Sequence, residues 1–262
     1  MERKPVIYRP EEFPEALWPC LQGAKLYDSS CSPTARVWFV DREEGYYLKS
    51  APAGALQKEA TLTAYFHGKG LAPQVCRYLP QVMGRDWMLT CRAEGEDCTH
   101  ATYLADPKRL ASLLGERLRM LHELDGSDCP IRHTENYLAT ARKNYEQGCY
   151  DPSYRLDGSP LLSMQEAWSA VEENGHRLRS DTLLHGDYCL PNVMLKDWKF
   201  SAFIDVDRGG LGDRHVDIFW GLWTLQFNLK TNAYADRFLD AYGREVIERE
   251  KLSLIGTIET FG

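Results

Sequence analysis

Between residues 185 and 205 the chain reads His185-Gly186-Asp187-Tyr188-Cys189-Leu190-Pro191-Asn192, an apolar run, a polar turn, a second apolar run, and Ile204-Asp205. This pattern confines the segment to a β-hairpin. Val193, Met194 and Leu195 form one strand, Lys196 to Lys199 the turn, and Ala202, Phe203 and Ile204 the returning strand. The register expected of this hairpin sets Val193 opposite Ile204 and Asn192 opposite Asp205. Directly opposed residues in an antiparallel pair have Cβ atoms roughly 5 Å apart. An amide oxygen and a carboxylate therefore converge at one end of the hairpin, with Asp187 on the loop just before it.

Two such hard oxygen ligands suit Mg²⁺, which keeps several waters and takes its other oxygens from substrate phosphates. Asp187 is then free to accept a hydroxyl proton. Phosphoryl transfer asks for little more than this base, the metal and accurate positioning. Singly, Asp187, Asn192 and Asp205 also read as turn caps or strand ends. It is the set that points to the chemistry.

The composition narrows the class. A chain of 262 residues with 44% hydrophobic content can bury one or two cores, as lobes rather than independent modules. Met1-Glu2-Arg3-Lys4-Pro5 is not followed by a signal-peptide-like apolar core, and no stretch reaches membrane-spanning length. The expectation is a soluble cytoplasmic enzyme without a membrane partner. Eight cysteines stand without a Cys-x-x-Cys pair or a Cys/His ligand cluster, as free thiols of a reducing compartment do. The net charge of −7 argues against nucleic acid as a partner and is compatible with a cationic small molecule.

Along the chain, residues 35–50 read as a hairpin, residues 57–67 as a helix ending before Gly68 and Gly70, and Trp87 to Cys91 as a further strand. Helical patterns then take over. Residues 108–123 carry Leu110, Leu113, Leu114, Leu118 and Leu121 on one face, and residues 217–229 are apolar nearly all round. The expected fold class is α+β, with a strand-rich N-lobe over 1–95 and a helical C-lobe over 96–262.

His185-Gly186-Asp187 with Asn192, followed by Phe203-Ile204-Asp205, resembles the aminoglycoside phosphotransferases, antibiotic kinases with the bilobal protein-kinase-like fold. The stretch Asp205-Val206-Asp207-Arg208-Gly209-Gly210, then Asp213 and Asp217, keeps the spacing of the 3'-phosphotransferase branch. The resemblance implies ATP as phosphoryl donor, with GTP the other nucleotide to consider, and Mg²⁺ on Asn192 and Asp205. It makes Asp187 the catalytic base and places Arg208 near the transferred phosphate. Lys49 becomes the phosphate-contacting lysine with Glu59 as its partner, and Tyr47 the aromatic that stacks on adenine. Ser32 falls in the loop over the phosphates, and Cys91 and Ala93 in the interlobe hinge that meets the adenine edge. The acceptor is expected to be a small cationic molecule, held by Glu146, Asp151, Asp157 and Glu259, on a monomer or weak dimer.

This chain departs from the family at two places. Arg142, Lys143 and Arg155 interleave with the acids of the 146–157 stretch, and the family's C-terminal Asp-Glu pair is Ile258-Glu259, with Gly262 following Phe261. A kinase of another amino-alcohol or sugar is the alternative within the same chemistry. A nucleotide-binding module without catalysis is the alternative outside it, but such a module would be expected to have replaced Lys49, Asp187, Asn192 or Asp205. The Gly-rich loop and the Asp-Phe-Gly and Ala-Pro-Glu signatures of protein kinases are absent.

Overall fold

The computed structural model describes residues 4–31 and 33–262, so Ser32 lies outside the described residues. The chain divides into two compact units, Met1–Glu94 with Ser201–Asp207, and Gly95–Phe200 with Arg208–Gly262.

The first unit is built on an antiparallel sheet of β1 (Lys4–Val6), β2 (Lys25–Asp28), β3 (Arg36–Asp41), β4 (Tyr46–Pro52), β5 (Val75–Val82) and β6 (Arg85–Cys91), in the order β1-β2-β3-β4-β6-β5. Its residues 35–50 form the expected hairpin, with Val37 opposite Lys49 and Phe39 opposite Tyr47. One face carries an aromatic core: Trp38 and Trp87 stack with centroids 6.2 Å apart, and Phe13 meets both edge-on. The short helix α1 (Trp18–Leu21) buries Leu21 in that cluster, while α2 (Gln57–Gly68) runs one residue past the expected end.

The second unit is helical: α3 (Ala101–Leu104), α4 (Pro107–His122), α5 (Thr134–Glu146), α6 (Met164–Asn174), α7 (His215–Leu229), α8 (Ala235–Tyr242) and α9 (Arg249–Glu259). Asp106 caps α4 by accepting from Arg109 N–H, and Pro107 opens it where a missing N–H costs nothing. Ser163 and Glu166 form a capping box at the start of α6. Every residue of α7 from His215 to Leu222 is buried, as its all-round apolarity requires.

Short strands carry the loops between these helices. β8 (Thr182–Leu184) pairs with β11 (Gly210–Gly212), and β7 (Glu96–Asp97), β9 (Val193–Lys196) and β10 (Lys199–Phe203) make a sheet in the order β10-β9-β7. The β9–β10 turn is tighter than the sequence reading. Only Asp197 and Trp198 lie between the strands, at φ +52° and +63°, the positive pair a type I' turn needs. Among the described residues, no helix is long and apolar enough to cross a membrane.

Candidate active site

In the first unit, strand alternation puts Tyr47 and Lys49 on one face of β4 and the fully buried Leu48 on the other. Glu59 stands in the first turn of α2, where a carboxylate is also favoured by the helix dipole. Lys49 Nζ lies 2.8 Å from Glu59 Oε2 and 3.0 Å from Asp205 Oδ1. Burial opposes the charge on Lys49, but Asp205 and Glu59 overcome it and hold the ammonium well above its ordinary value. Burial likewise pushes the Glu59 carboxyl up against the pull of Lys49.

Asp205 itself has φ +54°, a left-handed conformation that Asp tolerates better than a branched residue, and its side chain is 53% exposed. Its carboxylate therefore reaches solvent beside a held lysine. Tyr47 packs on Phe39 with centroids 5.4 Å apart. Cys91 N–H donates to Gln74 O at 2.9 Å, which removes it as a donor to any ligand, while Ala93 N–H donates to no described residue. Cys91 Sγ lies 3.3 Å from Cys76 Sγ.

In the second unit, β8 delivers the chain into His185-Gly186-Asp187. Gly186 has φ +85°, and a Cβ there would stand 2.1 Å from Arg208 O, so no other residue fits. The loop is held by Asp217 at the start of α7. Its carboxylate accepts from His185 N–H and Gly186 N–H, each at 2.7 Å, and from His122 Nε2 at 3.1 Å. Burial works against that charge, but His122 and the backbone donors win, and the carboxyl sits below its ordinary value. Burial holds His122 below its own ordinary value, and its Nδ1 is 2.7 Å from the Tyr242 hydroxyl. A neutral imidazole that donates from Nε2 and accepts at Nδ1 satisfies both partners.

Asn192 donates both amide hydrogens to Asp187, one to its carbonyl and one to Oδ2, each at 3.0 Å. The Asn192 Oδ1 accepts no described hydrogen bond. Asn192 thus fixes the Asp187 carboxylate and turns an amide oxygen away from it, the donor type a hard cation takes.

Asp187 opens onto a cavity of about 430 Å³, lined also by Arg208, Glu259, Tyr154, Trp220 and Trp223. Glu259 is 2% exposed and accepts from the Tyr137 hydroxyl at 2.8 Å and Trp220 Nε1 at 3.1 Å. Burial pushes its carboxyl up to about 7, against the pull of Tyr137 and Arg208. The other three acids expected at the acceptor do not line this cavity. Glu146 is exposed at the end of α5, and Asp151 accepts from Ser153 N–H at 2.9 Å. Asp157 lines a second cavity, of about 510 Å³, against α9.

Sequence reasoning missed Tyr154, Trp220, Trp223 and Phe227 as cavity residues. Trp220, Trp223 and Phe227 recur at the spacing of one helix face, but in a segment apolar all round that spacing carries no contrast. Asp217 braces the loop, and His185 Nδ1 accepts from Asp187 N–H at 3.3 Å.

The chain is 47% identical to a "Probable aminoglycoside 3'-phosphotransferase" of Lactococcus lactis subsp. lactis (strain IL1403), over 96% of each chain. The crystal structure of an aminoglycoside-3'-phosphotransferase of type VIII superposes with a TM-score of 0.75 at 23% identity, over 94% of this chain and 97% of that one. An aminoglycoside phosphotransferase of Streptomyces rimosus, solved with ADP and streptomycin, superposes with a TM-score of 0.71 at 19% identity over 86% and 90%. These likenesses place the α+β fold among the kinase-like aminoglycoside phosphotransferases. The model of the phosphotransferase enzyme family matches residues 26–255, which include Lys49, the Asp187 loop and Asp217, and with nearly half of the residues shared with a relative over almost the whole length, the chain belongs to that family.

Proposed function

We propose that the protein transfers the γ-phosphoryl group of ATP to the 3'-hydroxyl of an aminoglycoside. The observation that carries this reading is Asp187, oriented by both amide hydrogens of Asn192 and facing a cavity large enough for a sugar ring. The names of the relatives supply the acceptor class, and the ADP held by the Streptomyces rimosus neighbour supports an adenine nucleotide over GTP.

In this reading Asp187 accepts the proton of the attacking hydroxyl, a role worth about 10²- to 10⁴-fold in rate. Asn192 keeps the carboxylate in one rotamer, and Asp217 keeps the loop in one backbone conformation. Arg208, exposed on the cavity wall, is placed to neutralise charge on the transferring phosphoryl oxygens. Lys49, fixed by Glu59, carries the nucleotide phosphates, and Tyr47 offers its ring to the base. Asn192 Oδ1 and the Asp205 carboxylate are each hard oxygens of the kind Mg²⁺ takes, and the ion would neutralise β- and γ-phosphate charge.

The test is nucleotide turnover by the purified protein with Mg²⁺ and a panel of aminoglycosides. ADP release is expected with compounds that carry a 3'-hydroxyl and not with their 3'-deoxy analogues. Equal turnover of both would refute the regiochemistry, and none with any member would refute the acceptor class.

A further inference from the structure

Phe227 breaks the burial pattern of its helix. It is 54% exposed, while Phe219, Leu222 and Leu225 on α7 are buried, and it lines the same cavity as Asp187. A large apolar side chain left open beside a catalytic carboxylate is placed to meet a ligand. Its ring stacks on Trp223 with centroids 4.9 Å apart and planes 9° from parallel, and Tyr154 packs on Trp223 at 5.6 Å.

A cation already uses this aromatic column. Lys230, the exposed left-handed residue that ends α7, holds its Nζ 4.2 Å from the Phe227 ring centroid and pairs with no described carboxylate. With Trp223 covering one face, the ammonium takes the other. That ring face is thus an ammonium acceptor in the resting chain.

The charges of the cavity wall make such a face useful. Its lining residues include two carboxylates, Asp187 and Glu259, and one guanidinium, Arg208. Asp187 is engaged by Asn192, and Oε1 of Glu259 already accepts two hydrogen bonds. An acceptor with several ammonium groups has few carboxylates on this wall to pair with, and an aromatic face is the other partner an ammonium takes.

We propose that Phe227, backed by Trp223 and Tyr154, is a cation–π subsite for one ammonium group of the acceptor, occupied by Lys230 in the free enzyme and yielded on binding. This rests on the acceptor reading above. Lys230 can leave because its long side chain is exposed and loses only one contact. An ammonium borne on a ring held elsewhere in the cavity arrives already positioned.

The experiment compares an aminoglycoside carrying a 3'-hydroxyl with analogues in which single amino groups are replaced by hydroxyls, on wild type, Phe227→Leu, Phe227→Tyr and Lys230→Met. Phe227→Leu should raise KM for the parent about 3- to 30-fold with kcat held within about twofold, and Phe227→Tyr should restore it. Lys230→Met should lower the same KM about 2- to 5-fold, by removing the competitor. One deamino analogue should be insensitive to both changes. An unchanged KM in Phe227→Leu, or an equal rise for every analogue, would overturn the subsite. If wild type phosphorylates none of the compounds, the acceptor reading has failed, and calorimetric titration of the same compounds decides the subsite separately. Affinity weakened by Phe227→Leu and tightened by Lys230→Met sustains it, and unchanged affinity overturns it.

Discussion

Two carboxylates of the second unit are almost fully buried, and their surroundings shift them in opposite directions. Asp217, under the Asp187 loop, is 0% exposed, yet its charge is preserved by two backbone N–H groups and His122. Glu259, in the wall of the Asp187 cavity, is 2% exposed and meets a phenol and an indole on a single oxygen, which is too little to offset its burial. The number and kind of donors, rather than depth, decides which carboxylate stays ionised. The loop region is therefore built as a fixed charge under a fixed backbone, whereas the wall of the Asp187 cavity is built from aromatic rings around a carboxyl that changes state near neutrality.

The largest effect that would sharpen this contrast is at Asp187. Asp187→Asn should lower kcat by about 10²- to 10⁴-fold while nucleotide affinity, read by calorimetry, is retained. Full activity in that variant would remove the loop from the chemistry.

Next in size is Asp217. Removing one partner from a buried charge network costs about 3–5 kcal/mol, so Asp217→Ala should lose stability of that order in urea denaturation, with activity lost alongside. Glu259→Gln should cost far less near neutral pH, since the amide oxygen still accepts from Tyr137 and Trp220. Equal losses at the two positions would break the comparison.

The smallest and most specific effect is the pH dependence. The folded value of Glu259 is raised from 4.5 to about 7, so its contribution is full below the unfolded value and lost as pH rises through about 7. The stability difference between wild type and Glu259→Gln should therefore move against wild type by on the order of 3 kcal/mol as pH rises from about 5 to about 8. Asp217, with its folded value lowered, has the opposite sign. Its contribution is present above the ordinary carboxylate range and is lost as pH falls through the folded value. A Glu259→Gln variant that tracks wild type across the whole range would show that the carboxyl is ionised throughout.

One pairing of the first unit was legible in residue order. Lys49 with Glu59 joins two groups ten residues apart, one on a strand and one in the first turn of the helix that follows it. The hairpin over residues 35–50 and the helices α4 and α7 were likewise readable, because strand and helix periodicities are local. The β9–β10 turn was not, since Asp197 and Trp198 at positive φ lack the Asn-Gly signature of such a turn.

The acids expected to hold the acceptor show where local order stops being informative. Glu146, Asp151 and Asp157 belong to a polar stretch that reads as acceptor-facing, yet the segment lends Tyr154, not its carboxylates, to the Asp187 cavity. Sequence by itself determined the α+β class and the phosphotransferase family, because that chemistry demands particular groups at short, ordered spacings. Tertiary structure alone decided that the wall of the Asp187 cavity is aromatic and that Glu259 is buried among Tyr137 and Trp220. Its side chains come from a loop, the middle of α7 and the end of α9, and nothing in the local pattern of any one of these says which others will face it.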